Sequence, residues 1–364
     1  METYKIFGDR EHSLIEMTLG DLLDKVAEVY PDNDCVVCND KPFRKTYKEF
    51  KEECDTTAKG LMALGVEKGS HVAIWATNYP EWIVLMFASA KIGATLVTVN
   101  TNYKVFEAEY LLKQSDTDTL VMMDGLKDTN YSEIINELCP ELKDSKPGRM
   151  DCENLPYLKR VIYLDAKENM PRGMLHWSEL RELAASVSDE ALRARQASVN
   201  CHDVVNMQYT SGTTGFPKGV MLTHYNILNN GKCIGDNQVL TYRDRVCLPV
   251  PFFHCFGCVL GIMACITHGS TIVPVERYHP VRVMHTIQAE RCTATYGVPT
   301  MYIAMLEHPD FSKYDFSSLR TGIMSGSPCP VKVMEQVVNL MHMTEITIPY
   351  GLTETSPVLS LIHI

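Results

Sequence analysis

The chain has 364 residues, with 45 acidic against 34 basic side chains and a formal net charge of −11. That balance excludes a nucleic-acid backbone as the main partner, because such a partner demands basic patches. The length exceeds what one compact core holds and implies two or three lobes. An apolar content of 45% with 22% charged residues is that expected of an ordinary soluble globular protein.

The opening METYKIFGDREHS is charged and lacks the apolar core of a signal peptide. Thr18 and Asp21 stand at capping-box spacing. Leu19, Leu22, Leu23, Val26, Ala27 and Tyr30 follow at helical spacing before Pro31, so a helix is expected there. Residues 72–75 read as a buried strand, 80–91 as a helix, 96–99 as a strand, 106–114 as a helix and 120–123 as a strand. The polar run 144–154, with Pro147 and Gly148, reads as a surface excursion. A strand is expected at 161–164, a charged helical stretch at 181–200, and strands at 204–209, 246–250, 271–275 and 293–296. This alternation predicts an α/β fold of largely parallel sheets with helices on both faces.

The longest apolar runs, 83–90 and 256–266, are interrupted by Lys91 and closed by His268. Both are shorter than the roughly 20 residues that span a bilayer, so no integral membrane segment is expected. Thirteen scattered cysteines are expected to be reduced, buried thiols in a cytoplasmic protein. The pairs Cys35/Cys38 and Cys255/Cys258 fall short of the four ligands zinc requires. Met301 and Met305, at helical spacing, read as core filling.

The stretch 209–219, YTSGTTGFPKG, is the most informative part of the chain. Tyr209, Thr210, Ser211, Thr213 and Thr214 surround Gly212 and Gly215, and Lys218 and Gly219 close the run. Glycines let the backbone approach a polyphosphate, hydroxyls donate to its oxygens, and a lysine adds a mobile charge. An apolar strand precedes the run and a helix is expected after it, the context of a phosphate site. Lys218 lies between Pro217 and Gly219 with no hydroxyl following, so a Walker-type loop is disfavoured.

This run resembles the nucleotide-phosphate loop of the adenylate-forming superfamily of acyl-CoA synthetases, peptide-synthetase adenylation domains and firefly-type luciferases. Residues 251–257 (PFFHCFG), 325–328 (SGSP) and 350–355 (YGLTET) resemble three further core motifs in the family's order. Residues 45–50 (KTYKEF) and 69–103 resemble its amino-terminal signatures. Within the family the chain is most similar to medium-chain fatty-acyl-CoA synthetases. The resemblance implies a large amino-terminal domain over 1–358, with sublobes of roughly 1–195 and 196–358.

Activating a carboxylic acid with ATP needs no general base, since the acid is already ionised at neutral pH. It needs charge neutralisation, in-line positioning and exclusion of water. By resemblance, Thr210, Ser211, Gly212, Thr213, Thr214, Gly215 and Lys218 grip the β- and γ-phosphates. Tyr350 stacks on adenine beside Gly351, and Gly326, Ser327 and Pro328 border the adenine and the acyl carbonyl. Thr353 meets the α-phosphate, Glu354 helps hold Mg2+, and Phe253, His254 and Gly257 lie near the acyl group. Taken singly, Glu354 could complement a helix dipole, Tyr350 could end a strand, His254 could be a core histidine, and the glycine of SGSP could serve a plain turn.

The implied substrates are a fatty acid, ATP and coenzyme A. The runner-up readings are an aryl-acid or amino-acid adenylating enzyme and a nucleotide-binding module without catalysis. The family's ribose-binding aspartate, hinge and small domain with its catalytic lysine have no counterpart in the residues after Glu354. The final LSLIHI departs from the family pattern and matches a translated transposon-end adapter. Residues 359–364 are therefore expected to be a non-native tail on an incomplete domain that lacks full activity.

Overall fold

The computed structural model describes residues 4–7, 13–210 and 215–363. Helix starts follow local capping chemistry. Thr18 Oγ1 accepts the Asp21 N–H (3.1 Å) and opens the helix Leu19–Val29. Within KTYKEF, Thr46 and Glu49 form a reciprocal capping box for the helix Tyr47–Ala63. That box turns Tyr47 and Phe50 into the core, where the Tyr47 hydroxyl donates to the Ser270 carbonyl (2.7 Å). The amino-terminal signature is thus a helix start anchored to the far half of the chain.

Among the described residues are two large sheets and a two-stranded ribbon, Gly125–Leu126 with Thr129–Asn130. The first has seven strands in the spatial order Lys218–Thr223, Val204–Thr210, Thr95–Thr98, His71–Trp75, Thr119–Met122, Arg160–Tyr163 and Leu175–His176. The second has eight: Val358–His363, Glu345–Gly351, Thr321–Met324, Ala294–Gly297, Arg245–Leu248, Thr271–Pro274, Asp34–Cys38 and Phe43–Thr46. Pairing is parallel inside both sheets, and antiparallel only at Val204–Thr210 with Lys218–Thr223 and at the two edges of the second sheet. The inner strands are buried on both faces, as sheets sandwiched by helices require. The α/β reading therefore holds, and the expected strands appear within a residue or two of their places.

Neither sheet is drawn from one side of residue 195. The early hairpin 34–46 joins the second sheet through the Val36–Ile272 register, and the strand Val204–Thr210 joins the first against Thr95–Thr98. Each half lends a hairpin to the other's sheet, and the larger of two apolar clusters draws on both halves.

The helix Pro80–Lys91 is buried almost throughout and packs on the helices Leu19–Val29 and Tyr47–Ala63. Lys91, which closes its apolar run, does not reach water. Its ammonium is 1% exposed and lies 2.5 Å from Asp24 and 2.8 Å from Asp55. His268 likewise stays buried, with Nε2 3.1 Å from Asp236. Residues 144–154 are irregular as expected, but Met150 and Cys152 pin them to the core. The charged stretch near 181–200 divides into the helices Glu179–Ala184 and Asp189–Ala197. Met305 is buried and Met301 half-buried, both in packing positions.

Candidate active site

Four strands of the second sheet, Arg245–Leu248, Ala294–Gly297, Thr321–Met324 and Glu345–Gly351, run parallel. The segments following them therefore emerge at one edge of the sheet. PFFHCFG follows the first, SGSP the third, and YGLTET closes the fourth. Carboxyl ends of parallel strands are where α/β sheets bind ligands.

The two ends of the phosphate-loop sequence lie in the paired strands of a β-hairpin. Val204–Thr210 pairs antiparallel with Lys218–Thr223, with Tyr209 opposite Gly219 and Thr210 opposite Lys218. The helix expected directly after the loop begins only at His224. A strand intervenes because Val220 and Leu222 pair opposite Gln208 and Asn206. Gly215 has φ +137° and open space where a Cβ would stand, a conformation that favours glycine. Ser211, Gly212, Thr213 and Thr214 lie outside the described residues.

Lys218 is exposed, and no described side chain pairs with its ammonium. The far side of the turn is held by the helix Val105–Gln114. Tyr110 stacks on Phe216 at 4.9 Å and donates its hydroxyl to the Pro217 carbonyl (3.1 Å). The Tyr209 hydroxyl donates to Gln114. Neither Tyr110 nor Gln114 carries a motif signal, so sequence reasoning passed over both.

PFFHCFG leads into eight residues of π-helix, Phe256–Met263, a geometry that favours functional sites. Gly257 permits this start: a Cβ there would stand 2.2 Å from the Pro251 carbonyl oxygen. His254 Nδ1 accepts the Phe256 N–H (3.1 Å), which leaves the proton of the neutral ring on Nε2. Although His254 as a residue is open to solvent, the protein packed around its ring lowers its pKa. Phe253 lines a cavity of about 210 Å³ at the seam between the sheets, together with Asn78, Pro251, Arg277 and Met301.

Side-chain contacts join the motifs. Gln208, in the strand before the phosphate turn, donates to Cys258 Sγ (3.0 Å). Cys255 Sγ lies 3.7 Å from Thr353 Oγ1, which joins PFFHCFG to YGLTET. Burial pushes the Cys255 thiol up to about 11, against the Thr353 hydrogen bond that lowers it, with Glu354 close enough to add a small raising effect. Gln208 is one of two buried amides, with Asn206, in the strand Val204–Thr210, and nothing along the sequence singles it out.

In SGSP, Ser325 donates to the Pro349 carbonyl (3.0 Å), tying this turn to the neighbouring strand. Gly326 takes φ +88°, while Ser327 and Pro328 are exposed. Tyr350 is 65% exposed, so its ring presents a face to solvent. Gly351 is required by contact, since a Cβ would stand 1.9 Å from the Pro357 carbonyl oxygen. Thr353 is buried, whereas Glu354 is exposed and pairs with no described side chain. Residues 359–363 belong to the edge strand Val358–His363, which Asn230 holds through both backbone groups of Val358. Thus PFFHCFG, SGSP and YGLTET, with the exposed Glu354 carboxylate, gather at one edge of the second sheet, while Lys218 stands on the hairpin of the first sheet, which Gln208 joins to Cys258.

The sequence pattern of the AMP-binding enzyme family matches residues 23–363, and the chain belongs to that family. It is 54% identical over 347 residues to YngI of Bacillus subtilis (strain 168), a proposed acyl-CoA synthetase, covering 95% of this chain and 63% of that protein. It is 38% identical over 361 residues to the mitochondrial medium-chain acyl-CoA ligase ACSF2 of Danio rerio, covering 98% of this chain and 59% of that protein. The chain thus spans about three fifths of the length of these curated relatives. Its fold is that of the anthranilate CoA ligase AuaEII in complex with anthranoyl-AMP, at a TM-score of 0.80 and 22% identity over 96% of this chain and 63% of that one. The inhibitor-bound N-terminal domain of FACL13 from Mycobacterium tuberculosis matches at a TM-score of 0.76 and 24% identity, covering 94% of this chain and 77% of that one.

Proposed function

We propose that this chain carries the nucleotide- and acyl-binding part of an ATP-dependent fatty acid–CoA ligase. In the first half-reaction a carboxylate oxygen attacks the α-phosphorus of ATP, and the bond to pyrophosphate breaks, giving acyl-AMP. In the second, the coenzyme A thiol attacks the acyl carbonyl, expels AMP and loses its proton. The observation that carries the reading is the Cys255–Thr353 contact. It sets the segment assigned to the acyl group against the hydroxyl assigned to the α-phosphate, the two groups that must meet for adenylation.

In this reading Thr210, Lys218 and the turn between them hold the β- and γ-phosphates. Tyr350 offers its exposed ring to adenine, bordered by Gly326, Ser327, Pro328 and Gly351. Thr353 donates to the α-phosphate. His254 has Nε2–H available as a neutral donor near the carboxyl group. Glu354 fits a magnesium ion, because it is an exposed oxygen donor with no described partner and Mg2+ prefers one or two carboxylates plus phosphates. The bound ion would supply charge neutralisation on the polyphosphate. The residues after His254, namely Cys255, Phe256, Gly257 and Cys258, include no aspartate, which favours a hydrocarbon acyl group over an amino acid. Thirteen unpaired cysteines suit a reducing compartment such as the cytoplasm.

Exchange of labelled pyrophosphate into ATP, dependent on an added fatty acid, tests the assignment. Exchange supports the ligase reading. ATP binding by calorimetry without exchange favours a nucleotide-binding module, and absence of both refutes the site.

A further inference from the structure

The segment bearing His254 leaves the second sheet at Leu248 and turns before the π-helix begins. Pro249 and Pro251 have no N–H, so this stretch cannot close its own hydrogen bonds in a ladder. The Val275 N–H reaches the Leu248 carbonyl (3.1 Å), and one side chain from the segment after a strand of the first sheet supplies further bonds. Asn78 is 3% exposed and follows the strand His71–Trp75. Its two Nδ2–H groups face three carbonyls, those of Val250 (2.9 Å), Val275 (3.2 Å) and Leu248 (3.3 Å), so one hydrogen is shared between two of them. Its Oδ1 accepts the Phe252 N–H (2.9 Å), and its own N–H donates to the Glu276 carbonyl (3.3 Å).

Both ends of the amide are therefore spent on backbone groups that flank the acyl motif. The fixed turn then passes its geometry onward: the His254 N–H donates to the Pro251 carbonyl (3.3 Å), and the Gly257 N–H to the His254 carbonyl (2.9 Å). Asn78 also lines the cavity that Phe253 borders. We propose that Asn78 is a positioning residue for the acyl end of the site, holding Val250–Phe252 so that Phe253 and His254 meet the acyl group. The inference rests on the ligase reading and goes beyond it, because the polar atoms of Asn78 bond only to backbone and act on the acyl end through Val250–Phe252.

The test uses the full 364-residue chain as wild type, Asn78→Asp and Asn78→Ala. Calorimetry measures AMP and a non-hydrolysable medium-chain acyl sulfamoyl adenosine. The aspartate keeps an acceptor for Phe252 but loses the donors, so both variants are expected to bind the acyl ligand about tenfold more weakly, as loss of buried hydrogen bonds predicts. AMP affinity should stay within about twofold, since the nucleotide contacts lie elsewhere. Equal losses for both ligands, or no loss, overturn the proposal. Binding of neither ligand by wild type overturns the ligase reading itself, and the inference with it. Should the variants not fold, amide exchange in wild type decides. Slowing at Phe252 by the acyl ligand but not by AMP supports the proposal, and equal slowing or none overturns it.

Discussion

Cys255 Sγ and Thr353 Oγ1 approach to 3.7 Å across 98 residues of sequence, each at the carboxyl end of a different strand of one sheet. The thiol is 4% exposed, and burial raises its pKa to about 11. At neutral pH it is a protonated filler, not a nucleophile. Native-state alkylation with iodoacetamide at pH 7.5, read by peptide mass spectrometry, should therefore label exposed Cys233 first. Cys255 should label only after unfolding. Early labelling of Cys255 would mean that the contact opens in solution.

Lys218 and Glu354 are opposite charges that no described side chain neutralises. An exposed, unpaired lysine costs little to remove from the fold, so its loss should appear in ligand binding. Lys218→Ala is expected to weaken MgATP binding about tenfold, from the usual strength of a charge-assisted hydrogen bond. The melting temperature should hold. Glu354→Gln should weaken MgATP binding but leave metal-free AMP nearly untouched. Calorimetry of both ligands checks the pair, and unchanged MgATP affinity in both variants would remove these residues from the site.

The strands and helices legible in the sequence are those whose burial is local. Helix Pro80–Lys91 and strand His71–Trp75 show continuous apolar runs because every face is covered. The strand Lys218–Thr223 was missed: its burial alternates irregularly at a sheet edge, so no period-2 signal stands out. The hairpin 34–46 is short, and its partner strand Thr271–Pro274 lies more than 200 residues away. Site motifs were legible because glycines and hydroxyls cluster along the chain. Asn78, Gln208 and Tyr110 were not, since each acts on backbone or side chains distant in sequence.

Gly257 makes the entry to the π-helix possible, and its role is testable by one methyl group. In Gly257→Ala the new Cβ must displace the Pro251 carbonyl, which would stand 2.2 Å away. Backbone cannot yield as a flexible side chain does, so a loss of about 1–3 kcal/mol is expected, the usual cost of overpacking. Urea unfolding measures it. Because Pro251 also accepts from the His254 N–H, the variant should also lose affinity for the acyl sulfamoyl adenosine. Wild-type stability in the variant would show that the turn adapts more freely than the contact distance implies.

His224 provides a pH-dependent test of the fold away from the site. The ring is 1% exposed, and Nδ1 accepts the N–H of Leu19 (3.1 Å), capping the first residue of the helix Leu19–Val29. Burial lowers its pKa from 6.5 to about 4, outweighing the raising effects of Asp203 and Asp21. Below pH 6.5 the unfolded chain binds a proton that the folded chain refuses, so stability falls as pH drops and levels off below about 4. The shift corresponds to a loss of about 3 kcal/mol at most. Carboxylates with lowered pKa, such as Asp203 and Asp236, withdraw their contributions only as pH falls past about 3.8, the usual aspartate value, and so belong to a lower window. Denaturant melts across pH 7 to 4 should show the decline in wild type. They should show a flatter profile in His224→Asn, whose side-chain oxygen can still accept from Leu19 but cannot titrate. An equal slope in both proteins would assign the acid sensitivity to other groups.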